Sequence, residues 1–573
     1  VTFAHCAKPE EDAGNCQKSF KVQNFLIIRV WDDFTSTIAA NATTMPQEDA
    51  VRDAIVIGAG ISGLATGKWL REAGFNVKIL EKSSRAGGLW AYTDHGYGVM
   101  KFTHINVSKQ NYCFSDYSFP DDATDFPHNT EMRDYIYGYV KHFKLNEIIE
   151  YNTQVEKLER KGNEWQVTIT TVSEDEQNRI IPVGEPTVIV AKYVAIATGH
   201  HAKPTWAKFP GEESFTGSIM HSVTYKDAEF NKLSEKRVVV VGIGNSAVDA
   251  VCNLVEVGRC KPVYLSTRSG AWLVPNYIFG CPTDHYANRL FLNLPWQLAT
   301  RIFEAVITLV NGGPFALGLN PKMRALQTQP TVSPTLAHHI QRGEVKIMPN
   351  IKKIQGSSVH FTNDEVVKDV DQLIYCTGYK IDLPYLSDDI RADLLDDATN
   401  EISLFKNVFA PKIGPTLAFI GFVQPASGGV LSMSEMQARW FVELCKKTVT
   451  LPNQSEMNEI IDSDLNKTRD RYFHSARHTI QKDPIMYCDE IADFIGAKPS
   501  YLKHPDLAWR LLLGTNGPAQ YRLDGPNPWK DASKTVKKVP LTGLMNYSGI
   551  LVLFLFVILL INIYWTIYDL LGF

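Results

Sequence analysis

The stretch Asp53–Trp90, DAIVIGAGISGLATGKWLREAGFNVKILEKSSRAGGLW, decides the fold of this 573-residue chain. It begins with an apolar run, Ala54–Ile57, which has the length of a buried strand. A glycine-rich turn, a helical pattern and a second short strand that ends at Glu81 follow in that order. This order of elements predicts the first half of a Rossmann-like dinucleotide-binding domain.

The glycine turn, GAGISG at 58–63, has the spacing of a dinucleotide-binding fingerprint. Gly58 permits the tight turn, Gly60 lets the backbone approach a pyrophosphate, and Gly63 lets helix and strand pack closely. The helix that follows presents free N–H groups and the positive end of its dipole to the phosphates. Glu81, about 20 residues beyond the glycines, can accept hydrogen bonds from a ribose.

The composition is that of a globular protein with more than one core. Hydrophobic residues make up 45% of the chain and charged residues 21%. A chain of 573 residues exceeds the size of a single core, so two or more domains are predicted. The formal net charge of −4 favours no nucleic-acid partner. The nine cysteines include no CxxC pair, so neither a metal site nor a redox dithiol is predicted.

A second strand, turn and helix pattern, RVVVVGIGNSAVD, covers 237–249. Ala247 takes the place of the third glycine, which the fingerprint permits. The next predicted strand, Pro262–Thr267, is followed by Arg268 and not by an acid. A carboxylate there would repel a 2′-phosphate, whereas a guanidinium can bind it with two hydrogen bonds. We therefore predict FAD at the first turn and NADPH, in preference to NADH, at the second. A surface arginine without a ligand is the alternative for Arg268.

Further motifs lie between and beyond the two fingerprints. They are GGLW at 87–90, NVSK at 106–109, FPDD at 119–122, HN at 128–129, FTGSIMH at 215–221, RAL at 324–326, TGY at 377–379, QP at 424–425, RHTIQ at 477–481 and LLLG at 511–514. With the first fingerprint, these motifs resemble the flavin-containing monooxygenases, and most of all the animal, microsomal branch. The FTGSIMH motif resembles the identifying sequence of the N-oxygenating enzymes, and we interpret His221 itself as a structural histidine.

The resemblance implies an α/β fold with two Rossmann-like dinucleotide-binding domains, for FAD and for NADPH, the second inserted in the first. Asn106 matches the family position that hydrogen-bonds near the flavin N5, and an amide can donate and accept there without titrating. It is the one predicted catalytic residue. The residues predicted to bind FAD are Gly58, Ala59, Gly60, Ile61, Ser62, Gly63, Glu81, Gly88, Leu89, Trp90, Ile105, Asn106, Thr377 and Gly378. Those predicted to bind NADPH are Val107, Gly242, Gly244, Asn245, Ser246, Ala247, Val248, Asp249 and Arg268.

Five segments are predicted along the chain. They are a disordered N-terminal extension at 1–50, the first part of the FAD domain at 51–203, the NADPH domain at 204–344, the second part of the FAD domain with a C-terminal region at 345–545, and a transmembrane anchor at 549–569. A helix docked on the body is the alternative for the extension, and Met45 is a candidate natural start. A helical insert at about 275–334 is interpreted as a lid, a membrane-surface segment or an ordinary amphipathic helix.

The predicted anchor is the almost wholly apolar stretch Ile550–Tyr568. A membrane span needs on the order of 20 such residues. Four lysines precede the stretch, at 530, 534, 537 and 538, and no lysine or arginine follows it. This asymmetry places the body on the cytoplasmic side. With the microsomal resemblance, it predicts an endoplasmic reticulum membrane protein whose catalytic body faces the cytosol.

Two dinucleotide sites in one chain imply hydride transfer from NADPH to the flavin. A disulfide reductase would need a CxxC pair, so dioxygen is the remaining common acceptor. Reduced flavin and dioxygen form a C4a-hydroperoxide, which decays to hydrogen peroxide unless water is excluded. The predicted function is oxygenation of soft nucleophiles, amine nitrogen or thioether sulfur, so the predicted partners are small-molecule nucleophiles and O2.

Three other functions stay open at this point. The same flavin chemistry could carry out Baeyer–Villiger oxygenation of ketones, or NADPH oxidation with release of hydrogen peroxide. A non-catalytic membrane module for redox sensing or docking is the alternative from another class. The sequence also leaves the oligomeric state open, with a homo-oligomer among the options.

Overall fold

The computed structural model describes residues 52–473, 475, 479–515 and 517–542. The predicted N-terminal extension at 1–50 and the predicted anchor at 549–569 lie outside the described residues. Within the described ranges, no helix has the length and apolarity needed to cross a membrane.

Short parallel strands and longer antiparallel strands alternate with helices. In chain order the strands are β1 Arg52–Ile57, β2 Val77–Leu80, β3 Ile149–Glu150, β4 Thr153–Lys161, β5 Glu164–Glu174, β6 Ile180–Pro182, β7 Thr187–Ile196, β8 Lys203–Pro204, β9 Ser218–His221, β10 Val238–Val241, β11 Val263–Ser266, β12 Leu273–Val274, β13 Tyr277–Ile278, β14 Cys281–Pro282, β15 Thr331–Val332, β16 Val345–Met348, β17 Ile351–Gln355, β18 Ser358–Phe361, β19 Val366–Val367, β20 Gln372–Tyr375, β21 Tyr379–Lys380, β22 Leu395–Asp396, β23 Glu401–Ile402, β24 Leu417–Phe419, β25 Gln424–Pro425 and β26 Gln481–Lys482.

The α-helices are α1 Ile61–Glu72, α2 Asn129–His142, α3 Asn245–Glu256, α4 Arg289–Leu292, α5 Trp296–Asn311, α6 Leu336–Gln341, α7 Asp388–Leu394, α8 Val430–Cys445, α9 Gln454–Arg471, α10 Pro484–Phe494, α11 Ala508–Leu513 and α12 Ala532–Lys538.

The first sheet has the strand order β3-β2-β1-β7-β5-β4, and β24 also pairs with β7. Strand β1 is parallel to β2 and β7, with Ile57 opposite both Leu80 and Ile196. Its residues Ile55 and Val56 are fully buried, as expected for a parallel strand that is covered on both faces. Strand β24 joins this sheet from more than 200 residues along the chain, with Leu417 opposite Val194.

The second sheet is wholly parallel and has the order β16-β11-β10-β20-β9. The four valines of β10 are all buried at its centre. All five strands fall in the chain between β7 and β24 of the first sheet. The two sheets confirm the prediction of an α/β protein with two Rossmann-like domains.

One predicted boundary differs from the structure. The sequence placed the end of the NADPH domain at 344 because short strands begin again at Val345. However, β16 pairs with β11 and β20 pairs with β10, so these two strands complete the second sheet, and β17, β18 and β19 between them form a sheet of their own. A parallel sheet grows on both sides of its first strand, and its later strands therefore look like a new segment in the sequence.

The C-terminal helices return to the first sheet. Helix α8 packs against α1 and α10, and fifteen of its sixteen residues are buried. The insert at 275–334 is fastened to this region by Arg289 of α4. Its Nε and Nη2 donate to Asp489 of α10 over 2.7 and 2.6 Å, and its Nη1 donates to the carbonyl of Leu511 over 2.6 Å. The ion pair is buried. Burial acts to lower the pKa of Arg289, but the nearby Tyr521 and the Asp489 carboxylate together raise it.

Loss of this buried ion pair should strongly destabilise the protein. Arg289→Met leaves the Asp489 carboxylate buried without its partner, so the free energy of unfolding should fall by about 3–5 kcal/mol. In the control variant Lys346→Ala, the broken pair with Glu365 is about half exposed, and the loss should stay below about 1 kcal/mol. Urea unfolding of both variants measures the two values. Equal losses would contradict the role assigned to Arg289.

Candidate functional site

The first glycine turn combines two glycines that the fold itself requires with one that leaves room for a ligand. Gly58 has φ +101°, and a Cβ added to it would lie 2.8 Å from the carbonyl oxygen of Ala197. A Cβ on Gly63 would lie 1.8 Å from the carbonyl oxygen of Gly58. On Gly60 the nearest atom would be the Cα of Gly88, at 3.8 Å. The turn therefore presents open backbone at Gly60, at the N-terminus of α1, where a pyrophosphate can approach.

Glu81 has a structural task as well as the predicted one. Its Oε2 accepts a hydrogen bond from the backbone N–H of Ala59 over 2.7 Å. Its Oε1 accepts from the N–H and the hydroxyl of Ser83, over 2.9 and 2.8 Å. The side chain thus ties the end of β2 to the glycine turn. Carboxylate oxygens can accept further bonds, so ribose binding by Glu81 stays a prediction.

The GGLW segment lies directly against the first turn. The N–H of Gly87 donates to the carbonyl of Ala59 over 2.9 Å, and Gly88–Trp90 form a short 3-10 helix. A Cβ on Gly88 would lie 3.2 Å from the Cα of Gly60. The Trp90 indole N–H donates to the Tyr112 hydroxyl over 3.2 Å. Gly88 is exposed and Leu89 and Trp90 are half-buried, so all three remain accessible to a ligand at the turn.

The N-terminus of α8 lies beside that of α1, and the sequence reasoning did not foresee it. The hydroxyl of Ser62 in α1 donates to that of Ser434 in α8 over 3.0 Å. Gly429 precedes α8 and packs so closely on Tyr112 that an added Cβ would lie 2.4 Å from its ring. Two helix N-termini, each with free N–H groups, therefore stand at the first site. The available signal was the Gly428-Gly429 pair before a long helical pattern.

Asn106 lies on the loop that runs toward Tyr112. Its neighbours Ile105 and Val107 are buried, whereas Asn106 is half-buried. Within the described residues, the Asn106 side chain makes no hydrogen bond to another residue. The amide is therefore available to a ligand, and its contact with the flavin stays a prediction.

The second glycine turn repeats the geometry of the first. Gly242 has φ +128°, its N–H donates to the Ser266 carbonyl over 2.9 Å, and an added Cβ would lie 2.4 Å from the carbonyl oxygen of Cys376. Gly244 precedes α3. The Asn245 side chain accepts from the N–H of Val332 in β15 over 2.8 Å, so the insert supports this turn.

The predicted NADPH residues in α3 divide into two groups. Ser246 is exposed in the first turn, whereas Ala247 and Val248 are fully buried in the hydrophobic core, so only their backbone is left to contact a coenzyme. Asp249 lies one turn further and is half-buried. Burial raises the pKa of its carboxyl to about 7, which reduces the negative charge in the first turns of α3 at neutral pH.

Arg268 lies two residues beyond β11, beside the second turn, because Ser266 at the end of that strand bonds to Gly242. It is exposed, and in the described part of the chain its guanidinium has no hydrogen bond or ion pair. A guanidinium without a protein partner at this position can bind a 2′-phosphate.

Thr377 and Gly378 follow β20 and therefore lie beside the second turn. The sequence predicted instead that they bind FAD, which is expected at the first turn. The Thr377 hydroxyl donates to the carbonyl of Thr205, and the N–H of Thr205 donates to the carbonyl of Gly378 over 2.9 Å. The matching position beside the first turn belongs to Ala197 and Thr198. The FAD assignment of Thr377 and Gly378 stays a prediction.

Two dinucleotide-binding folds, one with an acid after its second strand and one with an arginine, define an oxidoreductase that uses a flavin and a pyridine nucleotide. Residues 51–540 match the family described as flavin-binding monooxygenase-like, and the chain belongs to this family. It is 36% identical to flavin-containing monooxygenase 5 of Cavia porcellus over 504 residues, which is 84% of this chain and 90% of that protein. It is 33% identical to flavin-containing monooxygenase 3 of Homo sapiens over 502 residues, with coverage of 84% and 90%.

Solved structures share the fold. S-allyl-L-cysteine S-oxygenase from Allium sativum matches with a TM-score of 0.57 and 22% identity over 78% of this chain and 89% of that chain. Cyclohexanone-bound cyclohexanone monooxygenase matches with a TM-score of 0.57 and 16% identity, covering 77% and 97%. OTEMO in complex with FAD and NADP matches with a TM-score of 0.54 and 16% identity, covering 73% and 89%. The chain is a flavoprotein monooxygenase with FAD and NADPH as cofactors.

Substitutions at two glycines of the first turn should separate cofactor binding from folding. Alanine fits at Gly60 in the protein alone, so Gly60→Ala should lose FAD while the unfolding free energy of the apoprotein changes by less than about 1 kcal/mol. Alanine at Gly63 overlaps the Gly58 carbonyl, so Gly63→Ala should destabilise even the apoprotein by about 1–3 kcal/mol. Flavin absorbance and thermal unfolding measure the two effects. Full flavin retention in Gly60→Ala would contradict the assignment.

Proposed function

We propose that this enzyme uses NADPH and O2 to oxygenate soft nucleophiles, converting amines to N-oxides and thioethers to S-oxides. The observation that carries the proposal is the Asn106 amide, which is half-buried and has no protein partner within the described residues. Asn106 lies on the loop that leads to Tyr112, and Tyr112 packs against Gly429 at the start of α8. Bound FAD, once reduced by NADPH, supplies the oxygen chemistry, and the protein supplies binding and orientation.

Each part of the site then has a definite task. The backbone at Gly60 and the N-terminus of α1 hold the FAD pyrophosphate, and Arg268 holds the 2′-phosphate of NADPH. Asn106 offers one donor and one acceptor at the reacting face without changing its charge. Buried Ile105 and Val107 on either side of Asn106 exclude water from that face, which suppresses loss of oxygen as hydrogen peroxide.

The proposal extends to location. The apolar stretch Ile550–Tyr568 would anchor the enzyme in the endoplasmic reticulum membrane, with the catalytic body on the cytosolic side. The support is the composition of the stretch and the four lysines that precede it.

A product screen tests the proposed reaction. Detergent-solubilised protein with NADPH and O2 is incubated with tertiary amines, thioethers and ketones, and each product is quantified against the NADPH consumed. We expect N-oxides and S-oxides to account for most of the NADPH. Esters from the ketones as the dominant products would indicate Baeyer–Villiger oxygenation. Hydrogen peroxide alone, with every substrate, would contradict the proposal.

The coenzyme preference should depend on Arg268. Arg268→Ala removes a charge-assisted contact worth about 1.5–3 kcal/mol, so the KM for NADPH should rise about 10- to 100-fold while the KM for NADH stays the same. Arg342→Ala is the matched control, because Arg342 is an exposed arginine just before β16 and so lies at the amino ends of the strands, opposite the end at which Arg268 follows β11. Steady-state kinetics with both coenzymes measure the effect. An equal rise for NADPH and NADH would remove Arg268 from 2′-phosphate binding.

A further inference from the structure

A carboxylate from the insert holds the loop that carries Asn106. Asp284 lies in the short 3-10 helix Thr283–Tyr286. Its Oδ2 accepts three hydrogen bonds, from the N–H of Ser108 over 3.0 Å, from the Ser108 hydroxyl over 2.6 Å and from the side-chain amide of Asn111 over 2.5 Å. The three donors belong to two residues that are 173 or more positions away in the chain. Bonds to an ionised acceptor are the strong class of hydrogen bond, so this contact fixes the loop firmly.

We call Asp284, Ser108 and Asn111, with His285 and Thr515, the clamp, and the last two residues complete it. The Nε2 of His285 lies 2.9 Å from the Ser108 hydroxyl oxygen, and the Thr515 hydroxyl donates to the Asn111 side chain over 2.8 Å. The Ser108 hydroxyl gives its one proton to Asp284, so it must accept from His285, and this assigns the proton of a neutral imidazole to Nε2. Burial lowers the pKa of His285, in agreement with a neutral ring.

The partners of Asp284 are buried, and Asp284 itself is half-buried. Ser108 and His285 are fully buried, and Asn111 is 4% exposed. Beside Asp284 lies a cavity of about 10 Å³ that Asn111, Gly429 and Ser432 also line, which is the space of about one water molecule at the start of α8. The Oδ1 of Asp284 is buried without a protein partner among the described residues, and a water there would satisfy it.

The geometry points to Asp284 as a positioning residue, which holds Ser108 and Asn111 from the insert and so fixes the Asn106 amide at the reacting face. This inference rests on the proposed function and adds to it a residue that does not touch the flavin. Only Val107 lies between Asn106 and Ser108 in the chain, so a shift of the Ser108 backbone moves the Asn106 amide as well. A misplacement on the order of 1 Å at a reacting centre can cost about 100-fold in rate.

The test compares Asp284→Ala with two other variants. In Asp284→Asn the amide oxygen can still accept from Ser108, so this variant should retain part of the effect. Glu304→Ala is the control for loosening of the insert, because Glu304 on α5 accepts from Arg324 and from the N–H of Ala325 and makes none of the clamp's contacts. Ser108→Ala serves as the second variant if Asp284→Ala does not fold, because it removes the same central bond.

Two readouts are needed. Hydrogen exchange of the apoprotein should show faster exchange in 106–112, by about tenfold or more, for Asp284→Ala and not for Glu304→Ala. In the holoenzyme, the fraction of NADPH that ends as hydrogen peroxide should rise several-fold, while anaerobic flavin reduction by NADPH stays within about twofold. Asn106→Ala with Asp284→Ala should release no more peroxide than Asn106→Ala alone, because both changes act through one amide.

The outcomes separate the two proposals. A wild-type enzyme that yields only peroxide would overturn the proposed function and this inference with it. A coupled wild type with an equally coupled Asp284→Ala would overturn the inference alone. Peroxide release that adds up in the double variant would show that Asp284 acts by a route other than Asn106.

Discussion

The close packing of α1 on β1 is the constraint on which the rest of the structure depends. A side-chain atom on Gly63 would overlap the carbonyl oxygen of Gly58. This close contact, which only glycine permits, fixes the start of α1 at the carboxyl end of β1. The Glu81 carboxylate then binds the N–H of Ala59, which links the end of β2 to the same turn. The open backbone proposed to bind a dinucleotide phosphate is therefore a consequence of backbone packing, and few side chains are needed to form it.

The local parts of this structure were predictable from the sequence. Both fingerprints, the acid at Glu81 and the position of Arg268 follow from patterns within about 30 residues, and in the structure they lie at the carboxyl ends of parallel strands. Such patterns report backbone geometry that neighbours along the chain determine by themselves. The assignment of Ala247 and Val248 was less informative, because positions inside the fingerprint also pack the core.

Contacts between distant segments were beyond the sequence reasoning. The pairing of β24 with β7, the placement of α8 beside α1 and the bonds from Asp284 to Ser108 each join residues separated by more than 170 positions. In the sequence, a single aspartate in an insert gives the same pattern whether its side chain faces solvent or holds a distant loop. The same limit explains the misplaced boundary at 345, since only the pairing of β16 and β20 shows to which sheet they belong. Buried polar pairs such as Arg289 with Asp489 then fasten the insert to the C-terminal helices.

The central claim is that one chain seats FAD at its first glycine turn and NADPH at its second, so that hydride passes between them. Anaerobic titration of the purified holoprotein with NADPH, followed at the flavin absorption band, tests it most directly. We expect a yellow protein that is bleached by about one equivalent of NADPH and returns to yellow when O2 is admitted. A colourless protein, or a yellow one that NADPH does not bleach, would contradict it.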